Sequence, residues 1–155
     1  MARDPEVRRT LASNRRARHA YHVLDERECG VVLVGTEVKS LRAGRSSIQE
    51  AYGRIEDGEL WLVGATITEY SHGNIQNHVP DRRRKLLLTR RELARWARAV
   101  KEKGVTLVPL ELYFRGHLVK VRMGLVKGKK LHDKREDQKR RTAEREIGRA
   151  TMRRR

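Results

Sequence analysis

The chain has 155 residues, 37 of them Lys or Arg against 20 Asp or Glu, giving a formal net charge of +17 and an isoelectric point of about 11.0. Charge of one sign at this density favours a polyanionic partner, because binding relieves self-repulsion and releases counterions. Nothing resembles a membrane span of about 18 apolar residues, a signal-peptide core or a basic amphipathic helix with a broad apolar face, so a cytoplasmic protein is expected. Cys29 is the single cysteine, which excludes a disulfide framework and a Cys-based metal site.

In chain order, residues 1–14 read as a basic, flexible leader and residues 15–126 as one folded body, enough for one core and too little for two. Val31-Val32-Leu33-Val34 is a continuous apolar run that suits a buried strand. A short helix is expected over Thr36–Ala43, closed by Gly44, with Val38 and Leu41 facing the core and Lys39 and Arg42 one turn apart outside. Tyr52–Glu56 and Leu60–Ile67 flank Asp57-Gly58, a dipeptide that suits a type I′ hairpin turn. Next comes Arg82-Arg83-Arg84-Lys85 followed by Leu86-Leu87-Leu88; two of these leucines should be buried, and spacing alone does not choose which one is exposed.

Thr89-Arg90-Arg91-Glu92 reads as a capping box that opens a helix over 89–103, with Gly104 as its stop. Its apolar stripe is Leu93, Trp96, Ala97 and Val100, while Arg90, Arg91, Arg95, Arg98 and Lys101 face elsewhere. Val105–Phe114 and Leu118–Val126 form a second hairpin around Arg115-Gly116-His117, with one basic face and with Pro109 expected at an edge or a bulge. The sum is a mainly β protein with flanking helices, best read as a small closed antiparallel barrel of OB type.

Residues 127–155 hold thirteen Lys and Arg, five Asp and Glu, and few apolar side chains. Such a tail does not recover its ordering entropy by burial, so it either solubilises the protein or folds on a partner. The pairs Glu136–Arg140 and Asp137–Arg141 at i,i+4 and Glu146–Arg149 at i,i+3 favour a helix by only a few tenths of a kcal/mol each. With two Trp, four Tyr and one Phe in the chain, and with Trp61, Trp96 and Phe114 placed in the core, no base-stacking platform is expected. His72 and His78 lack metal-site spacing, and Gly128-Lys129 lacks the upstream glycine and the Ser or Thr of a phosphate loop.

The segments "NRRARHAYHVLDERECGVVLVGTEVKSLRAG", "DGELWLVGATITEYSHGN", "DRRRKLLLTRREL", "KGVTLVPLELYFRGHLVKVRMGLVKGKKLHDKRE" and "AEREIGRA" resemble the SsrA-binding protein family, also called small protein B. The resemblance runs from Asn14 to Ala150. It implies a protein without cofactor or catalytic activity that binds the tRNA-like domain of transfer-messenger RNA and acts in trans-translation on stalled ribosomes. Elongation factor Tu and alanyl-tRNA synthetase act on the same RNA. On this resemblance the RNA-binding residues are Asn14, Arg15, Arg16, Arg18, His19, Glu28, Lys39, Arg42, Arg84, Lys85 and Leu87. For Glu28 the competing role is an internal partner for an arginine. The tail is implied to be disordered when free and helical near the decoding centre, in the empty mRNA channel, hinged at Gly128 and at Leu131-His132-Asp133. Its ribosome contacts would be Gly128, Lys129, Lys130, His132, Asp133, Lys134, Arg135, Lys139, Arg140 and Arg141. Cys29 and Asn74-Ile75-Gln76-Asn77 depart from the family's commoner residues. The alternatives are a structural ribosomal protein, a general RNA-binding OB module or an RNA-modifying enzyme.

Overall fold

The computed structural model describes residues 7–73, 77–129 and 131–153, with the side chains of 131–134 and 151–153 left aside. The elements are β1 (Arg8–Ser13), α1 (Arg15–Ala20), β2 (Tyr21–Val31), α2 (Gly35–Arg42), β3 (Ser46–Ser47), β4 (Tyr52–Glu56), β5 (Glu59–Val63), β6 (Thr66–Ile67), β7 (Arg84–Leu87), α3 (Arg90–Ala99), β8 (Val105–Arg115), β9 (Leu118–Gly128) and α4 (Leu131–Arg153). The protein is mainly β with a few helices. All pairings are antiparallel, and the seven-stranded sheet runs β1-β8-β4-β5-β7-β2-β9, with β9 pairing back onto β8. The short strands β3 and β6 pair separately.

Period-two patterning builds the two long hairpin strands. Along β9, Val119, Val121 and Met123 are buried while Leu118, Lys120 and Arg122 face out. Pro109, which has no N–H to give a ladder, falls at the register shift between Pro109 and Glu111, as expected for a bulge. The β4–β5 turn has positive φ at both Asp57 (51°) and Gly58 (73°), the signature of a type I′ turn. One core joins Leu41, Ile48, Leu60, Leu107 and Met123 beneath Trp96.

Several expectations change. Residues 8–13 are not a flexible leader but the edge strand β1, held by its ladder to β8 and by Leu11 and Ala12 against the core. The apolar run at 31–34 is not a strand of its own. Only Val31 belongs to a strand, as the last residue of the eleven-residue β2, in which Asp25, Glu26, Arg27 and Glu28 interrupt the apolar pattern; Val32 and Val34 lie beyond it, exposed, in the link to α2. The expected strand Leu60–Ile67 is cut at Gly64, whose φ of 83° re-aims Thr66 and Ile67 toward β3. The helix expected over 89–103 ends at Ala99, and Gly104 closes the turn that follows. Trp61 lies half-buried on the outer face of β5 between inward Leu60 and Leu62, not in the core. Leu131-His132-Asp133 form the first turn of α4.

Candidate nucleic-acid interface

The first basic cluster begins at a helix cap. Asn14 is 3% exposed; its Oδ1 accepts the Ala17 N–H at 3.1 Å and its Nδ2 donates to the Pro109 carbonyl at 2.9 Å. Its amide is therefore committed inside the fold, where it holds the start of α1 against β8. The helix it caps carries Arg15, Arg16 and Arg18 outward, with His19 half-buried. Arg16 lies 3.2 Å from Glu50 and Arg18 lies 3.4 Å from Glu26, both weak surface pairs that a phosphate can displace.

Arg84 is likewise turned into the fold. It is 1% exposed, and its Nε donates to Glu37 Oε2 at 2.6 Å while its two Nη groups donate to the carbonyls of Ala65 (2.8 Å) and Pro80 (2.9 Å). Glu37 is wholly buried and also accepts from Arg82 (2.6 Å) and from the Val34 N–H (2.9 Å), so it caps α2 and ties it to β7. Burial alone would raise the Glu37 carboxyl, but the bonds from Arg82, Val34 and Arg84 outweigh it and hold the group below its ordinary range. This clamp fixes a helix whose Lys39 and Arg42 are both exposed, with the Lys39 ammonium 5.8 Å from the centre of the Tyr70 ring. His78 braces the same region: it is buried, its Nε2–H donates to the Ile67 carbonyl at 2.8 Å, and its Nδ1 accepts from the Thr36 hydroxyl at 2.9 Å.

Of the three leucines after the arginine cluster, Leu86 is buried and Leu88 packs on the core, whereas Leu87 is 50% exposed. It pairs across from Gly30, where a Cβ would meet Leu87 Cδ1 at 3.3 Å, so the glycine leaves the leucine its place. Lys120 stands opposite Gly30 on the other neighbour of β2. Lys85 reaches Glu59 at 2.9 Å. Glu28 accepts from the Tyr113 hydroxyl and from Arg115 at 2.8 Å. Burial would raise the Glu28 carboxyl, but those two bonds leave it below the ordinary value, and burial with the Glu28 bond pushes the Tyr113 hydroxyl up to about 12. Of its two roles, the internal partner is the one the geometry displays.

These groups lie on elements that precede, follow or pair with β2. β2 has α1 at its start and Gly30 near its end, and its eleven residues span on the order of 30 Å at the strand rise of about 3.3 Å per residue. At the α1 end the tail closes a cleft of about 550 Å³ lined by Arg18, Tyr21, His22, Lys129, Arg140 and Arg141. The Gly128 N–H donates to Gly104, the Lys129 N–H to Ala20, and Asp137 pairs with both Lys129 and Arg140. Arg135, Lys139, Arg140 and Arg141 are exposed along α4. Lys130 and the side chains of His132, Asp133 and Lys134 lie outside the described residues, as do residues 74–76.

Sequence reasoning missed Glu37, Lys120 and the stacking of Arg83 over Trp61, where the guanidinium carbon lies 4.6 Å from the ring centre. Only Glu37 had a signal: an acid at the third helical position, where capping boxes place one.

A family model described as SmpB protein matches residues 11–153. An SsrA-binding protein of Carboxydothermus hydrogenoformans is 50% identical over 144 residues, covering 93% of this chain and 97% of that protein. One from Corynebacterium jeikeium is 56% identical over 144 residues, covering 93% and 78%. A chain of the solved structure "tmRNA-SmpB: a journey to the center of the bacterial ribosome" is 48% identical, with a TM-score of 0.66, covering 80% of this chain and 91% of that one.

Proposed function

The chain belongs to the SmpB protein family, and from that premise we propose that it is an RNA-binding protein of trans-translation, not an enzyme. It holds the tRNA-like domain of transfer-messenger RNA and brings that RNA to stalled ribosomes. The observation that carries this reading is the 48% identity, over 91% of its partner chain, to an SmpB solved with tmRNA on the ribosome. The exposed cations of α1 and α2, the helices before and after β2, support it.

In this reading Arg15, Arg16, Arg18, Lys39 and Arg42 contact phosphates, for which guanidinium forks are well shaped. His19 and Lys85 flank them, and Leu87 packs its exposed side chain on a ribose or base. Glu28 acts through its bonds to Tyr113 and Arg115, orienting Arg115 toward the same surface. The circuit β8-β4-β5-β7-β2-β9 and back to β8 supports an OB-like closed barrel as the platform. The tail, from Gly128 through Arg141, enters the mRNA channel when it is empty, with Lys129, Arg135, Lys139, Arg140 and Arg141 on ribosomal RNA. In solution it exchanges between helix and coil, since its exposed side chains leave it with little packing. Elongation factor Tu and alanyl-tRNA synthetase work on the same RNA, in the cytoplasm. Among the described residues no helix is long and apolar enough to cross a membrane.

The test is to purify the protein at moderate salt and sequence the RNA that comes with it. Enrichment of one tRNA-like RNA over bulk ribosomal RNA is expected. Ribosomal RNA in its bulk proportion, with no such enrichment, overturns the reading in favour of a structural ribosomal protein.

A further inference from the structure

Helix α3 is anchored on one side and bare on the other. Leu93 and Val100 pack on the core, and Trp96 is fully buried with its indole N–H donating to Asp25 Oδ2 at 2.9 Å. The one acid within the helix, Glu92, is turned toward β2, 3.6 Å from Arg27 Nη1. With 3.6 residues per turn, Arg91, Arg95 and Arg98 fall in one row on the side away from Trp96, with Arg90 beside them. All four are exposed, and among the described residues none of them has an ion pair. The next acid along the chain, Glu102, pairs with Lys127 instead.

We propose that this arginine row is a second RNA-docking surface, which grips the phosphate backbone of an RNA segment other than the one held along Glu28 and Leu87. The two surfaces are separated by the alternation of β2. Asp25 and Arg27, which receive α3, share one face of the strand, and Glu26 and Glu28 point to the other.

Three observations select RNA as the occupant. Like charges at i,i+4 oppose the helix that bears them, so a row with no interleaved acid weakens α3 until an anion neutralises it. Side chains at i, i+4 and i+7 repeat every 5–6 Å or so, and guanidinium groups fork onto phosphate oxygens, so several can engage one backbone at once. No exposed large apolar side chain lies on α3, which leaves a lipid surface no wedge to bind. The inference goes beyond the family reading, and either can fail while the other stands.

The test replaces Arg91, Arg95 and Arg98 together by glutamine, which keeps helix propensity high, and checks the fold by circular dichroism and melting temperature. The probes are a mixed-sequence 16-base-pair RNA duplex and, separately, the transcribed tRNA-like domain. For the duplex, the slope of log K against log salt should fall by about two to three units, and by about one for Arg91→Gln alone. Affinity for the tRNA-like domain should stay within about twofold. An unchanged duplex slope in a folded triple variant overturns the proposal, because the row is then merely solvated. Equal loss for both RNAs also overturns it, because the row then belongs to the first surface. A larger loss for phosphatidylserine vesicles or polyglutamate than for the duplex assigns the row to a different partner and overturns it too.

Discussion

Replacing Glu37 with alanine removes the anion that holds Arg84 inside the protein. Both side chains are essentially inaccessible, at 0% and 1% exposed. Truncating one partner of a buried pair costs about 3–5 kcal/mol, because the remaining charge is left uncompensated. Arg84 would keep its bonds to the Ala65 and Pro80 carbonyls, while Arg82 and the Val34 N–H would each lose an acceptor. We therefore expect a loss of about 3–4 kcal/mol, or a melting temperature lower by roughly 6–15 °C for a chain of this length. Urea unfolding followed by circular dichroism measures it. Arg82→Ala should cost only about 1 kcal/mol, since that side chain is about one-third exposed and its charge is screened. The paired replacement Glu37→Leu with Arg84→Met should recover at least half of the loss, because an apolar pair has no charge to desolvate. A loss below about 1 kcal/mol for Glu37→Ala, or a double variant no better than the single one, would refute the reasoning.

Asp25, Glu28 and Glu37 all sit below their ordinary values of 3.8, 4.5 and 4.5, so near those values the unfolded chain binds more protons. Their contribution is full above that range and lost as pH falls through it, so the urea midpoint should be level from about pH 7 to about pH 5 and drop below; a midpoint that rises on acidification contradicts this. Cys29 is fully buried, and burial, with the nearby charges of Glu92 and Glu28, pushes its thiol up to about 12. Iodoacetamide at neutral pH should leave it unmodified in the folded protein and label it in urea, and native labelling at the rate of a free cysteine would count against the packing. Leu87→Ser should change stability by less than about 0.5 kcal/mol while weakening binding of the tRNA-like domain; unchanged affinity would remove Leu87 from the site. Ending the chain after Gly128 should leave that binding intact and abolish peptide tagging on messages without a stop codon, and tagging at the full level would remove the tail from the mechanism.

What could be read in the sequence is what repeats locally. The Asp57-Gly58 turn, the Thr89 cap and the alternation of β9 need only neighbours three or four residues away, and each appears where the residues put it. β1 and β2 escaped notice for the opposite reason. Leu11 and Ala12 are too few to signal a strand until β8 lies beside them, and the acids of β2 find partners from other strands and helices. In β2 four consecutive charged residues, Asp25 to Glu28, occupy both faces of the strand, so hydropathy shows no period of two there.

The same distinction decides the interface. Arginines are legible as charge, but their roles depend on what faces them. Within Arg82-Arg83-Arg84-Lys85, four adjacent cations have three fates: Arg82 and Arg84 converge on Glu37, Arg83 stacks over Trp61, and Lys85 reaches Glu59. Strand alternation sends Arg84 inward and Lys85 outward, and a carboxylate 47 positions upstream turns a phosphate ligand into a clamp. On α3 the logic reverses. The helix period sends Arg91, Arg95 and Arg98 away from Trp96, and the one acid of that helix is engaged with β2, so these cations remain for an outside anion. Net charge therefore predicts that the protein binds a polyanion, but the positions of its few carboxylates determine where.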